Sequence, residues 1–335
     1  MIAHQSLCER LMPVSLRVLA TGGTIAGVAS SAASSTDYQP ATLGVETLLE
    51  AVPALRDVAL IDGRQIAAID SRNASPDFWV SVGRAVQEAL DDPAVDGVVV
   101  THGTDTVEET AWYLHLTLKS NKPVVMVAAM RPASSLSADG PLNLLNAARV
   151  AADPRAAGRG VMLVLNHQIF GARGTRKVHT MRPDAFASTD GMIGQVHDAV
   201  IDWGVRSEYP HTTNTPFTID TPLAQVEILM AYAGASPALI EAVRTGGAAG
   251  LVWAGSGNGS ASDDALVQLR RASASGMVVV RASRTGNGPV HKQEHDVAEA
   301  ERLLNAGTLN PVQARILLML ALGQGMSPAE AFARF

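Results

Sequence analysis

GVVVTHGTDTVEETAWYLHLTLK, residues 97–119, decides the class of fold. Residues 98–100 carry no polar side chain to turn toward solvent, so they read as a strand buried on both faces. Residues 106–119 change period: Val107, Ala111, Leu114 and Leu118 recur at spacings of four, three and four on one helical face. Strand, glycine-bearing loop, helix is the repeating unit of a parallel sheet. The alternation continues outward, with apolar runs at 16–20, 124–129 and 161–165. Between them, 76–90 reads as a helix capped by Ser75, with Pro76 at its first position and Asp92-Pro93 at its end. The pattern predicts an α/β fold whose mostly parallel sheet is covered on both faces.

At residue 206 the text becomes RSEYPHTTNTPFTIDTP, with three prolines and five threonines and no helical period. This predicts an extended linker over 206–223. It separates a larger N-terminal parallel-sheet α/β domain, 1–205, from a smaller C-terminal α/β domain, 224–335. The second domain has strands at 226–230, 250–254 and 277–280. A closing helix opened by Ser327 and Pro328 has Glu330 in the capping-box position. ASSAASS, 29–35, is small and polar and reads as a mobile loop.

Composition excludes several classes. At 335 residues the chain suits two domains, and 47% hydrophobic content excludes intrinsic disorder. A net charge of −6 argues against a nucleic-acid partner. No run approaches the roughly 18 apolar residues of a membrane helix, so no membrane partner is expected. Charged residues are only 17%, against about 25% usually, which points to surface hidden in an oligomer. The lone cysteine, Cys8, has no intramolecular partner and suits a reducing, cytoplasmic compartment. The first twenty residues lack a basic start, and Glu9 and Arg10 interrupt any apolar core, so they do not read as an export signal. A periplasmic location would require such a signal to have been removed.

In parallel sheets, ligands bind at the carboxyl ends of strands. TGGTIAG (21–27), THGTDT (101–106) and MRP (130–132) followed by SADGP (137–141) all fall there. Glycines let backbone N–H groups approach a ligand, helix starts favour an anion, and hydroxyls stand among them. An anion held beside an exposed threonine suggests acyl transfer on a carboxylate-bearing substrate. Each loop taken alone reads more readily as a tight turn with a capping threonine. The spacing fails G-x-G-x-x-G, and Tyr38 and Gln39 stand where a dinucleotide site needs an acid. HKQEH (291–295) spells an inverted zinc-protease string, but Gly286, Gly288 and Pro289 precede it, so it reads as loop and no metal is expected.

LATGGTIAG (19–27), VTHGTDTVEETA (100–111), KPVVMVAAMRPASSLSADGPLN (122–143), GSGNG (255–259) and GTLNPVQAR (307–315) together resemble the bacterial L-asparaginase family, most closely its type II asparaginase/glutaminase form. The resemblance spans both domains. It implies an amidohydrolase that splits L-asparagine into L-aspartate and ammonia, without cofactor, as a homotetramer of intimate dimers. It implies Thr24 as nucleophile with Tyr38 beside it, and a second cluster of Thr104, Asp105 and Lys177, the lysine coming from RKVHT (176–180). Ser71 and Asp105 would hold the substrate's α-carboxylate and α-amino groups, and the Ala129 backbone would meet the departing amide nitrogen. Asn258 would come from a partner subunit. The chemistry is coherent: a threonine hydroxyl needs a base, a lysine serves as one only when burial or nearby cations disfavour its ammonium, and the oxyanion needs preorganised N–H donors.

Two departures bear on substrate. Arg72 stands where the family usually has glutamine, and His295, beside Glu294, where it has an acid from the neighbouring subunit. A guanidinium near the substrate's α-amino group would repel it. The alternative reading is therefore an ω-amidase acting on glutamine or on a dicarboxylate monoamide without a free α-amino group. A non-catalytic binder of acidic amino acids is the reading from another class. Thr24, Thr104, Asp105 and Lys177 together argue against it, since a binder requires no nucleophile.

Overall fold

The structure, a computed structural model, describes residues 13–34, 36–291 and 303–335. Cys8, Glu294, His295 and most of the HKQEH string lie outside them. Among the described residues, the larger unit holds β1 (Ser15–Gly22), the short hairpin β2 (Val28–Ala29) and β3 (Tyr38–Gln39), β4 (Leu60–Ile69), β5 (Gly97–Thr101), β6 (Val124–Val127) and β7 (Val161–Leu165). It continues through β8 (Gln168–Gly171), the ribbon β9 (Thr175–Lys177) and β10 (Phe186–Ser188), then β11 (Met192–His197) and β12 (Val200–Trp203). Its main sheet runs β12-β11-β8-β7-β6-β5-β1-β4. The ladders from β4 to β7 are parallel, and those from β7 to β12 antiparallel.

Helices α1 (Val45–Glu50), α2 (Pro76–Asp91), α3 (Val107–Thr117) and α4 (Gly140–Ala152) cover this sheet. Strand alternation sorts the core: Val98, Val100 and Met126 pack with α2 and α3 on one face, and Val99, Val125 and Val127 with α1 and α4 on the other. Trp79, Val82, Val86 and Leu90 give α2 its buried stripe. Each such side chain contributes about 1.5–3 kcal/mol. Ser75 caps α2 by accepting the Phe78 N–H, as the sequence predicted.

The smaller unit contains β13 (Val226–Met230), α5 (Ala238–Thr245), β14 (Gly250–Gly255), α6 (Asp263–Ala274), β15 (Val278–Ser283), β16 (Leu303–Asn305), α7 (Pro311–Gln324) and α8 (Pro328–Arg334). Its sheet, β13-β14-β15-β16, is parallel throughout. Helix α7 joins the two units: Val252, Val280, Ile316 and Leu317 belong to the same buried cluster as Trp112 of α3. Trp112 Nε1 also donates to Gln313 O at 3.1 Å.

Three local expectations need correction. Residues 206–223 are packed rather than free, since they carry a 3-10 turn at Thr212–Asn214 and Phe217 is fully buried. The described part of the 29–35 loop, 29–34, is tethered: Ala29 N–H donates to Ser134 Oγ at 2.8 Å, and Ser135 Oγ to Ser34 O at 3.1 Å. Ser327 precedes α8, but its hydroxyl accepts no backbone N–H. Pro328 presets the first helical φ, so that turn forms without a capping box.

Candidate active site

The parallel register pairs Leu19 with Val100 and Ala20 with Thr101, so β1 and β5 end at one level and their loops meet. The meeting is backbone on backbone. Gly23 has φ +80°, and a Cβ there would stand 2.3 Å from Gly103 Cα. A Cβ on Gly103 would in turn stand 2.5 Å from Ser71 Oγ. Only glycine allows the three segments to stack this closely. Thr21 Oγ1 ties the loops by donating to Thr101 O at 2.8 Å.

Thr24, Tyr38, Ser71, Arg72, Thr104 and Asp105 line a cavity of about 200 Å³ at this junction. Thr24 Oγ1 lies 2.7 Å from Tyr38 OH. The hairpin of β2 and β3 delivers that phenol, and its ring packs over Gly27, where a Cβ would come within 2.9 Å. Lys177, at the end of β9, donates from Nζ to Thr104 Oγ1 at 3.0 Å and to Asp105 Oδ1 at 2.6 Å. Two hydroxyl-centred pairs therefore flank one cavity. Their threonines are buried, whereas the Asp105 side chain is 56% exposed.

The surroundings fix this arrangement. Thr106 does not cap α3 with its side chain; Oγ1 donates instead to Ser71 O at 2.8 Å and locks β4's exit turn to the β5 loop. His102 is fully buried, with Nδ1 2.8 Å from Gly103 O and Nε2 3.0 Å from Thr110 Oγ1. Burial pushes its pKa down to about 4, so the imidazole is a neutral strut at pH 7. Asp139 accepts the Met130 and Arg131 N–H groups at 3.0 and 2.9 Å, holding the loop beyond β6.

Two sequence-derived positions stand apart from the cavity in the single chain. Ala129 is buried two residues beyond the end of β6 and does not line it. Asn258 is locked to the backbone of His291, accepting at 2.8 Å and donating at 3.1 Å. Arg72 is at the rim, its side chain 73% exposed and its Nε 3.0 Å from Asp70 Oδ2. The described residues contain no cluster of three or more His, Cys, Asp or Glu placed to hold a metal.

Sequence reasoning missed Glu108. Its Oε2 accepts the backbone N–H of Lys177, fixing β9 against the first turn of α3. Burial, reinforced by Glu109, raises its pKa to about 7 against the pull of the Lys177 N–H and the Arg176 charge. In sequence, adjacent acids such as those of VEETA are ordinary favourable charges at a helix start.

The geometry agrees with comparison to known proteins. The asparaginase N-terminal family model matches residues 15–208, and the glutaminase/asparaginase C-terminal domain model matches 225–335. L-asparaginase 2 of Bacillus subtilis (strain 168) is 43% identical over 337 residues, covering 100% of this chain and 89% of that protein. L-asparaginase 2 of Escherichia coli (strain K12) is 41% identical, covering 94% and 90%. The crystal structure of a probable cytoplasmic L-asparaginase from Campylobacter jejuni superposes with a TM-score of 0.92 at 39% identity, covering 96% of this chain and 100% of that one. Both domain models, in order and over nearly the whole length, place this chain in the asparaginase family.

Proposed function

We propose that the chain hydrolyses L-asparagine to L-aspartate and ammonia, with Thr24 as nucleophile. The observation that carries this reading is the pair of hydroxyl clusters, Thr24–Tyr38 and Thr104–Lys177–Asp105, across one amino-acid-sized cavity. In the first half-reaction Thr24 Oγ1 bonds to the amide carbon and gives its proton to the hydrogen-bonded network. The C–N bond then breaks, and nitrogen leaves as ammonia with that proton. In the second, water adds to the ester carbon and returns the oxygen to Thr24. Lys177 donates to both Thr104 and Asp105, which places it to exchange a proton with the Thr104 hydroxyl. Ser71 and Asp105 hold the α-carboxylate and α-amino groups.

The small charged share of the chain supports an oligomer, and membership of the asparaginase family supports its being a homotetramer of intimate dimers in which Asn258, Glu294 and His295 of a neighbouring copy complete the cavity. Light scattering on the purified protein measures that assembly. No helix among the described residues is long and apolar enough to cross a membrane. The single cysteine supports a cytoplasmic location.

Arg72 motivates a second reading, in which the substrate lacks a free α-amino group or is glutamine. Its pairing with Asp70 lowers the field that the guanidinium casts on the cavity, which favours asparagine. Ammonia release from L-asparagine, L-glutamine, D-asparagine and succinamic acid separates these readings. Fastest release from L-asparagine is expected. Preference for succinamic acid would mean that Arg72 has rewritten the amino-group site, and silence on all four would overturn the proposal.

A further inference from the structure

The chain contains two Asn-Gly pairs, each in a loop at the carboxyl end of a small-domain strand: 258–259 after β14 and 287–288 after β15. Glycine has no Cβ to shield its backbone nitrogen, so the preceding asparagine amide is open to attack by it. The two pairs are held differently. Asn258 has both amide atoms bonded to the His291 backbone, and Gly259 is buried, where a Cβ would stand 3.0 Å from Val290 Cγ1. Asn287, Gly288 and Pro289 are all exposed, and a Cβ on Gly288 would meet nothing within 4 Å. Asn287 Nδ2 has no hydrogen-bond partner among the described residues.

The Asn287 amide faces its own neighbour. Oδ1 accepts the Gly288 N–H at 2.8 Å. With a C=O bond of about 1.23 Å, that nitrogen is therefore within about 4 Å of Cγ. Thr285 Oγ1 donates at 3.1 Å to Asn287 O, the oxygen that takes up charge when the 287–288 amide loses its proton. The loop is anchored at both ends, by the Arg284 N–H on Gly255 O at 2.9 Å and the Val290 N–H on Gly307 O at 2.8 Å. Its tip stands in solvent, so base and water reach the reacting atoms.

We propose that Asn287 is a site of spontaneous deamidation through a succinimide, and that Asn258 is protected from the same reaction by its bonds to His291. Hydroxide removes the Gly288 N–H proton, the nitrogen bonds to Asn287 Cγ, and the Cγ–Nδ2 bond breaks with nitrogen leaving as ammonia. Water then opens the ring: attack at Cγ gives aspartate, and attack at the backbone carbonyl gives isoaspartate. Either product takes the net charge from −6 to −7. Isoaspartate also lengthens the main chain by one methylene just before the anchored Val290. To test this, the full chain is incubated folded at pH 8.5 and at pH 6, and unfolded in guanidinium at pH 8.5. Tryptic fragments 285–292 and 245–270, which carry the two pairs, are then resolved by chromatography and mass spectrometry. In the folded chain, Asn287 is expected to convert at least tenfold faster than Asn258, faster at pH 8.5 than at pH 6, with isoaspartate among the products. Unfolding should bring the two rates within a few fold of each other. An intact Asn287, an Asn258 that converts as fast in the folded chain, a gap that persists after unfolding, or aspartate without isoaspartate would each overturn the proposal.

Discussion

Replacing Glu108 by glutamine should stabilise the protein in a pH-dependent way. Burial is the main cause that moves the carboxyl from 4.5 to about 7. The folded state therefore binds more protons than the unfolded chain between those values. Its stability is fullest below 4.5, falls as pH rises toward 7, and is level above. At 1.36 kcal/mol per pH unit, the penalty above neutrality is on the order of 3 kcal/mol. Glutamine retains a carbonyl to accept the Lys177 N–H and has no charge to bury. Glu108→Gln should thus exceed the parent by about 2–3 kcal/mol at pH 8.5 and match it near pH 4.5, measured by denaturant unfolding followed by circular dichroism. Because both proteins share every other titrating group, their difference isolates Glu108. A gap of equal size at both pH values would refute the reasoning. Glu108→Ala, which also removes the acceptor, should lower kcat by releasing β9 and Lys177.

Three further outcomes follow from the same geometry. Gly23→Ala puts a Cβ 2.3 Å from Gly103 Cα at φ +80°, so it should cost at least 1–2 kcal/mol of backbone strain and lower kcat/KM about 100-fold by parting the two threonine loops, as calorimetry and ammonia assays would register. Tyr38→Phe removes the hydroxyl 2.7 Å from Thr24 Oγ1 and should cut kcat about 100-fold with little change in KM, because its ring still packs over Gly27. His102, held to about 4 by burial, makes the unfolded chain the better proton binder below 6.5, so stability is lost as pH falls from 6.5 toward 4. In His102→Gln that acid-side slope of the unfolding midpoint should flatten.

The buried strands were legible because each is an uninterrupted apolar run between glycine or proline signals, as in β5 and β7. β4 escaped notice because its edge position lets Asp62, Arg64 and Gln65 interrupt its apolar residues. Yet that strand delivers Asp70 and Ser71 to the cavity. The antiparallel strands β8, β11 and β12 are short and have no run long enough to announce them. Within the site, the threonine loops stood out through their glycines, while Tyr38 and Lys177 were visible only through the family resemblance. Their proximity comes from a hairpin and from a ribbon that crosses back over α3, neither of which leaves a local pattern. Glu108 and Thr106 show the same limit. A helix-start acid and a capping threonine look ordinary in sequence, and only the packing reveals that they bind β9 and the Ser71 turn.

The central claim is that Thr24 attacks the amide, and Thr24→Val tests it most directly. Valine nearly preserves the shape and removes the hydroxyl. With folding verified by circular dichroism, ammonia release from L-asparagine should fall at least about 1,000-fold while L-aspartate still binds within a few fold of the parent affinity. Turnover within tenfold of the parent would contradict the account.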